Sequence, residues 1–333
     1  MYSWYEDVLA AVNEVDPSMP IYISDAWDLD EAVKWCRGRD WRKKGGNPVV
    51  VDTHRYYTFS EKDRSRTPQE IISSLACEFG ELSESRNKRS GGEIANGEGE
   101  VDFIVGEYSC VLDTQTWSRL PDPEESKPAL VRQFAEAQTT GFEKATAGCY
   151  FWTWKMQWMD GGEWGFVEQV QRGNVSAPGY MVWEEEVVRG KLREAGERKR
   201  EIGERAKGGH EEYWMRRCPG KAFRHEFFGE GWERGWEDGE VFFGGRVLEG
   251  TGSGVEGEDE GVRRKGADKI GCLEGWVRKR LEECGERGEF LWEWEQGFRA
   301  GVAAFEKCVG LYVGECCIRT QDSFGAILEG MLR

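Results

Sequence analysis

Apolar positions along this chain follow two different periods, and the change from one to the other marks its elements. Trp4, Val8, Ala11 and Val15 recur three or four residues apart, the spacing of one helix face, which predicts a helix over residues 1 to about 15 closed by Asp16-Pro17. Short apolar runs follow at 20–24, 48–52, 102–106 and 148–154. Between them lie amphipathic stretches: Asp30 to about Arg37, with Asp28 or Asp30 as its cap; a helix start at Thr67-Pro68-Gln-Glu70; and a segment around 126–140. Residues 84–100 are polar. Strand and helix alternating in this way predict parallel β/α units with helices outside. In such a sheet the carboxyl ends of the strands carry the chemistry. The run Asp102-Phe-Ile-Val-Gly-Glu-Tyr-Ser109 ends in a glycine and then a carboxylate, which makes Glu107 the first candidate for a catalytic group.

Only four such units can be counted, while a closed β/α barrel needs eight, so the pattern fits a small open sheet or half of a barrel. No G-x-G-x-x-G and no G-x-x-x-x-G-K-S/T follows any of the four strands, which removes the main reason for a nucleotide-binding sheet and favours the half barrel. The predicted fold class is α/β: a partial (β/α)8 TIM barrel over 1–180, followed by an α-helical extension.

Beyond about 182 the composition shifts to Glu, Arg, Gly and Trp. Val182 to Lys207 interleaves acids and bases at helical spacing and predicts a long, exposed helix, with 181–209 as a charged linker. The span 210–310 reads as a Trp/Gly-rich helical domain containing an internal repeat. Phe228-Gly-Glu-Gly-Trp-Glu-Arg-Gly-Trp-Glu-Asp-Gly239 and Trp294-Glu-Gln-Gly-Phe-Arg-Ala-Gly-Val-Ala-Ala304 both alternate aromatics with glycines. Each copy predicts a helix whose glycines admit a close partner. Ile270, Leu273, Val277 and Leu281 mark another amphipathic helix, residues 248–269 read as a disordered loop, and 311–333 carry no assignment.

A net charge of −17 over 333 residues argues against nucleic acid or an anionic membrane as partner, since either selects clustered Lys and Arg. A neutral substrate fits better. Sixteen Trp against ten Tyr supply core volume and flat stacking surfaces. The ten cysteines include no paired C-x-x-C units, so the sequence predicts no metal, no cofactor and free thiols in a reducing compartment. The amino terminus has no basic and apolar signal pattern, and no run of eighteen apolar residues occurs. As written the chain is expected to be cytoplasmic; an upstream segment bearing a signal would make it extracellular. Nothing in the sequence sets the oligomeric state.

Four motifs then carry a family resemblance over about 1–180. Asp25-Ala-Trp27, Val51-Asp-Thr-His-Arg-Tyr-Tyr-Thr-Phe59, Gly106-Glu-Tyr-Ser109, and Phe151-Trp-Thr-Trp-Lys155 with Glu163-Trp-Gly-Phe166 resemble strands five to eight of the glycoside hydrolase family five barrel, exo-β-1,3-glucanase branch. The carboxyl-terminal stretch resembles the helical extension of some fungal members. The resemblance implies a β-glucan or oligosaccharide substrate, with Glu107 as nucleophile, His54 and Tyr56 flanking it, and Trp154 under the sugar ring. It implies that Asp25 and Trp27 lie near outer subsites. Trp152 and Trp154 are expected on opposite faces of one strand, so at most one of them faces the mouth and the other packs against a helix.

The chemistry implied is double displacement with retention, which needs a second carboxyl ~5–5.5 Å from the nucleophile. In the family that group is the glutamate of an Asn-Glu-Pro motif on strand four, and this sequence contains none. Asn13-Glu14 lies in the first helix and reads as a surface pair. A truncated chain, lacking strands one to four, is therefore expected to be nearly inactive alone, since general acid catalysis is worth ~10²–10⁴-fold. The competing class is a non-catalytic carbohydrate-binding or assembly protein that keeps the aromatic cleft.

Overall fold

The computed structural model describes residues 1–39, 46–75, 101–156, 162–247, 268–285 and 288–311. Its first part alternates as the pattern predicts: α1 (Tyr2–Val15), β1 (Ile21–Ser24), α2 (Leu29–Arg37), β2 (Val49–Tyr57), α3 (Glu61–Arg64), α4 (Pro68–Leu75), β3 (Asp102–Leu112), α5 (Thr114–Trp117), α6 (Pro123–Ala145), β4 (Cys149–Phe151) and α7 (Phe166–Gln171). The four strands form one parallel sheet in the order β1-β2-β3-β4. Of the two caps open at α2, Asp28 is the one used, its carboxylate accepting from the Glu31 N–H at 3.0 Å.

The helices cover one face of the sheet, where Ile23, Val51, Val105 and Phe103 pack with Ala32 and Val33 of α2 and Phe142 of α6. A second cluster runs beneath the carboxyl ends of β2 and β3, built from Tyr57, Cys110 and Leu112 with Ile71 of α4 and Phe134 of α6. β2 and β3 extend about five residues past the apolar runs that announced them. Those added residues, Thr53 to Tyr57 and Glu107 to Leu112, mix polar and apolar side chains, so no apolar run marks them.

The second part is helical: α8 (Glu185–Arg217), α9 (His225–Gly244), α10 (Leu273–Glu283) and α11 (Leu291–Val309). The two copies of the internal repeat form α9 and α11, and they pack on each other through their glycines. A Cβ built on Gly231 or Gly235 would lie 2.0 Å from the Trp294 or Phe298 carbonyl oxygen, and one on Gly297 or Gly301 would lie 2.0 or 2.1 Å from the carbonyl of Phe228 or Trp232. The two backbones therefore touch, with Trp232, Trp236, Phe298 and Phe305 filling the space on either side.

The charged helix differs from expectation in two respects. α8 runs through the boundary expected at 209/210, and it is not a free linker, because Val188, Ala195, Gly203, His210 and Trp214 are buried. This buried stripe is sparse, and at Gly203 an added Cβ would meet the Trp232 ring at 2.7 Å. Small residues mark the contact, so the stripe is hidden among the charges. The loop expected at 248–269 and the tail at 311–333 lie almost wholly outside the described residues, as does 84–100.

α10 joins the two parts. Asp102, buried at the amino end of β3, accepts from the Glu274 and Gly275 N–H groups at 3.2 and 2.9 Å, a carboxylate at a helix amino terminus. Arg278 donates to the carbonyls of Gly46 and Asn47 at 3.3 and 3.4 Å. On the other side of α10, Arg280 and the Trp276 indole donate to Asp238 of α9, and Glu274 receives a two-pronged bond from Arg299 of α11. Among the described residues no helix is long and apolar enough to cross a membrane.

Candidate active site

The carboxyl ends of β1, β2 and β3 bring four of the six candidate residues into one cleft. Pairing between β2 and β3 runs Thr53 with Val105 and then His54 with Glu107, so Gly106 is an extra residue in the ladder. Such a bulge turns the side chain that follows it. Here it directs Glu107 toward β2, where the Tyr56 hydroxyl donates to Glu107 Oε2 at 2.7 Å and His54 Nδ1 stands 3.2 Å from the same oxygen. Gly106 is required sterically as well: an added Cβ would lie 2.0 Å from Asp52 Oδ1.

Asp52, two residues before His54, completes a row of groups on one face of β2. Its carboxylate lies 3.8 Å from His54 Nε2, so the imidazole stands between two acids. Burial raises the Asp52 pKa, while His54 and the Gly106 N–H pull it back. The Tyr56 phenol is pushed up, first by burial and then by its bond to Glu107. That keeps it a proton donor to the carboxylate at any ordinary pH.

β1 contributes differently from what the motif suggests. Asp25 is buried, with Oδ2 accepting from the Thr53 hydroxyl at 2.5 Å and Oδ1 from the Trp27 N–H at 3.0 Å. Both bonds hold a turn in which Ala26 and Trp27 have φ of 49° and 69°, the left-handed region that costs L residues energy and gathers at functional sites. The turn presents Trp27, 72% exposed, with its ring edge-on to His54 at a centroid distance of 5.9 Å. Asp25 thus shapes the cleft from below, and Trp27 forms its wall.

Trp154, the sixth candidate, stacks on Phe166 at 5.7 Å and is 64% exposed. β4 ends at Phe151, so Trp152 and Trp154 lie beyond the strand and the expected alternation does not apply: Trp152 is 46% exposed as well, and its backbone N–H donates to the Tyr108 carbonyl at 2.7 Å. The peptide between Trp152 and Thr153 is cis. Thr153 is laced to the 164–166 segment by two backbone bonds. That segment adds a residue given no role in the sequence reading, Trp164, whose ring packs on Tyr56 at 5.7 Å and Phe59 at 6.1 Å. Its signal was the Glu163-Trp-Gly-Phe166 motif. Within it Glu163 is buried and paired with Lys127 at 3.2 Å, leaving the indole as the part that reaches the cleft. The cleft therefore offers one carboxylate held by a phenol and an imidazole, set among exposed indoles. That arrangement suits a polyhydroxylated ring with an electrophilic carbon.

Comparison with known proteins agrees with the motifs. Residues 195–309 match the family described as the glucan 1,3-β-glucosidase 3 C-terminal domain. The chain is 27% identical over 311 residues to an uncharacterized glycosyl hydrolase of Saccharomyces cerevisiae, covering 91% of this chain and 50% of that protein. It is 26% identical over 308 residues to glucan 1,3-β-glucosidase 3 of Schizosaccharomyces pombe, covering 90% and 55%. To a probable glucan 1,3-β-glucosidase A of Aspergillus fumigatus it is 27% identical over 194 residues, covering 53% and 43%. The chain thus spans about half the length of the curated relatives it matches.

Proposed function

We propose, taking as premise that this chain is similar to the C-terminal part of the fungal exo-β-1,3-glucanases, that its cleft is the nucleophile half of a retaining site for β-glucan. β1 to β4 would then be strands five to eight of a (β/α)8 barrel. The observation that carries this reading is the convergence of Tyr56 and His54 on a single oxygen of Glu107. The Tyr56 hydroxyl bonded to Oε2 and the His54 ring beside it fix the carboxylate and leave Oε1 as the oxygen that attacks the anomeric carbon. As Oε1 bonds to that carbon, the glycosidic C–O bond breaks and its electron pair leaves with the aglycone. Water then attacks the anomeric carbon from the face the aglycone left, the C–Oε1 bond breaks to release Glu107, and the water proton passes to the second carboxyl. Protonation of the leaving oxygen falls to a second carboxyl, which the family resemblance puts on strand four, in the half of the relatives this chain does not span.

Trp27, Trp152 and Trp154 would receive the sugar faces, with Asp25 a positioning residue for Trp27. A good leaving group needs no general acid, so the test uses dinitrophenyl 2-deoxy-2-fluoro-β-glucoside. The expected outcome is one covalent sugar per chain by mass spectrometry, located on Glu107 by peptide mapping. Tyr56→Phe is expected to slow this labelling about 10- to 100-fold, the value of one hydrogen bond to a charged group, with folding unchanged by circular dichroism. The exposed indoles favour a second reading, sugar binding without chemistry. Laminarin quenching of Trp fluorescence with no adduct would select it.

A further inference from the structure

Two of the three histidines in the chain lie far from this cleft and meet on one buried glutamate. His210 comes from α8, His225 opens α9 and Glu293 lies in the first turn of α11. His210 Nε2 and His225 Nδ1 stand 3.1 and 3.0 Å from Glu293 Oε2, and the three atoms all lie within 4.8 Å of one another. We propose that this cluster is a binding site for one first-row divalent transition metal, of the zinc class, which ties the three helices together at one end.

Four observations carry it. The Glu293 side chain is fully buried, and its partners are the two imidazoles and the Arg224 backbone N–H, which donates to Oε1 at 2.7 Å. No Lys or Arg side chain pairs with it among the described residues, so only the two imidazoles face its charge, and a buried carboxylate is costly unless it is paired or coordinates a metal. Both N···O separations are close to the ~3.3 Å ligand edge of a tetrahedral site with bonds of ~2.0–2.1 Å, and the nitrogens, within 4.8 Å of each other, would draw together on the ion by a small shift of the partly exposed His225 ring. The rings stack, His210 on Phe228 at 4.0 Å and His225 on Phe223 at 5.2 Å, which keeps both turned toward Glu293. Finally, Gln296 lies beside His210 with its buried Oε1 making no geometric hydrogen bond, and an acceptor next to the ring is the usual outer partner of a ligating histidine.

Two imidazole nitrogens and a carboxylate oxygen favour zinc and its neighbours over calcium or magnesium. The half-exposed edge of His225, 22% accessible, gives the ion its entry and a water its place as fourth ligand. The inference is independent of the glucanase reading.

The test uses the full chain, stripped with chelator and titrated with Co2+ and Zn2+. The expected result is one ion per chain, visible d–d bands without a thiolate charge-transfer band, and a higher melting temperature. The absence of thiolate absorption separates this site from the ten cysteines. His225→Gln, at a helix start and partly exposed, is expected to stay folded and lose the bands, and Gln296→Met to weaken binding about 10- to 100-fold. A folded wild-type chain that takes up no ion, binding only with thiolate bands, or equal binding by His225→Gln would overturn the site and leave a hydrogen-bonded cluster.

Discussion

Glu107→Gln is expected to abolish covalent labelling by the fluoroglucoside, slowing it by on the order of 10⁴-fold or more, the scale on which removing a nucleophile acts. The amide has the volume of the carboxyl and can still accept from Tyr56, so the cleft should keep its shape. What disappears is the charge and lone pair that attack the anomeric carbon. Trp fluorescence should still report laminarin binding with little change in affinity, because the indole surfaces are untouched. Labelling of the variant at the parental rate would remove Glu107 from the chemistry. Loss of labelling together with loss of sugar binding would point to a structural role instead. Asp52 and Asp25 are the controls: both are acids in or beneath the cleft, yet one lies behind His54 and the other has both oxygens bonded, one to Thr53 of β2 and one within its own turn.

Gly235→Val is expected to produce the largest loss of stability. The Cβ of any residue there would fall 2.0 Å from the Phe298 carbonyl oxygen. That obstacle is helix backbone, which cannot rotate aside, so α9 and α11 must separate. Separation uncovers Trp232 and Trp236, both fully buried. Overpacking alone costs ~1–3 kcal/mol, and the valine methyls together with the exposed aromatics should take the loss to about 4 kcal/mol or more, read from urea unfolding by Trp fluorescence. Gly190 supplies the opposite case. It lies in α8 with nothing within 4 Å of its added Cβ, and Gly190→Ala should stabilise by ~0.5–1 kcal/mol, the helix-propensity difference alone. Equal effects at the two positions would mean that the close helix approach is not formed.

The parts legible in the sequence were those encoded by neighbours along the chain. Strand alternation put Glu107 at a strand end, and the family resemblance set His54 and Tyr56 beside it; the bulge at Gly106 that aims the carboxylate shows only in the pairing of β2 with β3. The glycine–aromatic repeat announced α9 and α11. The illegible parts depend on contacts between distant residues. Trp27 reaches His54 only because Asp25 and Thr53, 28 residues apart, hold its turn. The buried face of α8 is carried by Ala195 and Gly203, residues that no hydrophobic period detects. His210, His225 and Glu293 are separated by up to 83 positions and share no motif, so only the packing of three helices reveals them.

The docking of α10 has a consequence for how the molecule comes apart. The same short helix holds the foot of β3 through Asp102 and clamps α9 and α11 through Asp238 and Arg299. Sheet and bundle are therefore expected to dissolve in a single transition under heat or denaturant, with amide exchange in β3 slowed by the helices it leans on. A defect at the glycine seam would then travel down that brace and surface as a lowered, unsteady carboxylate at the far end of the strand.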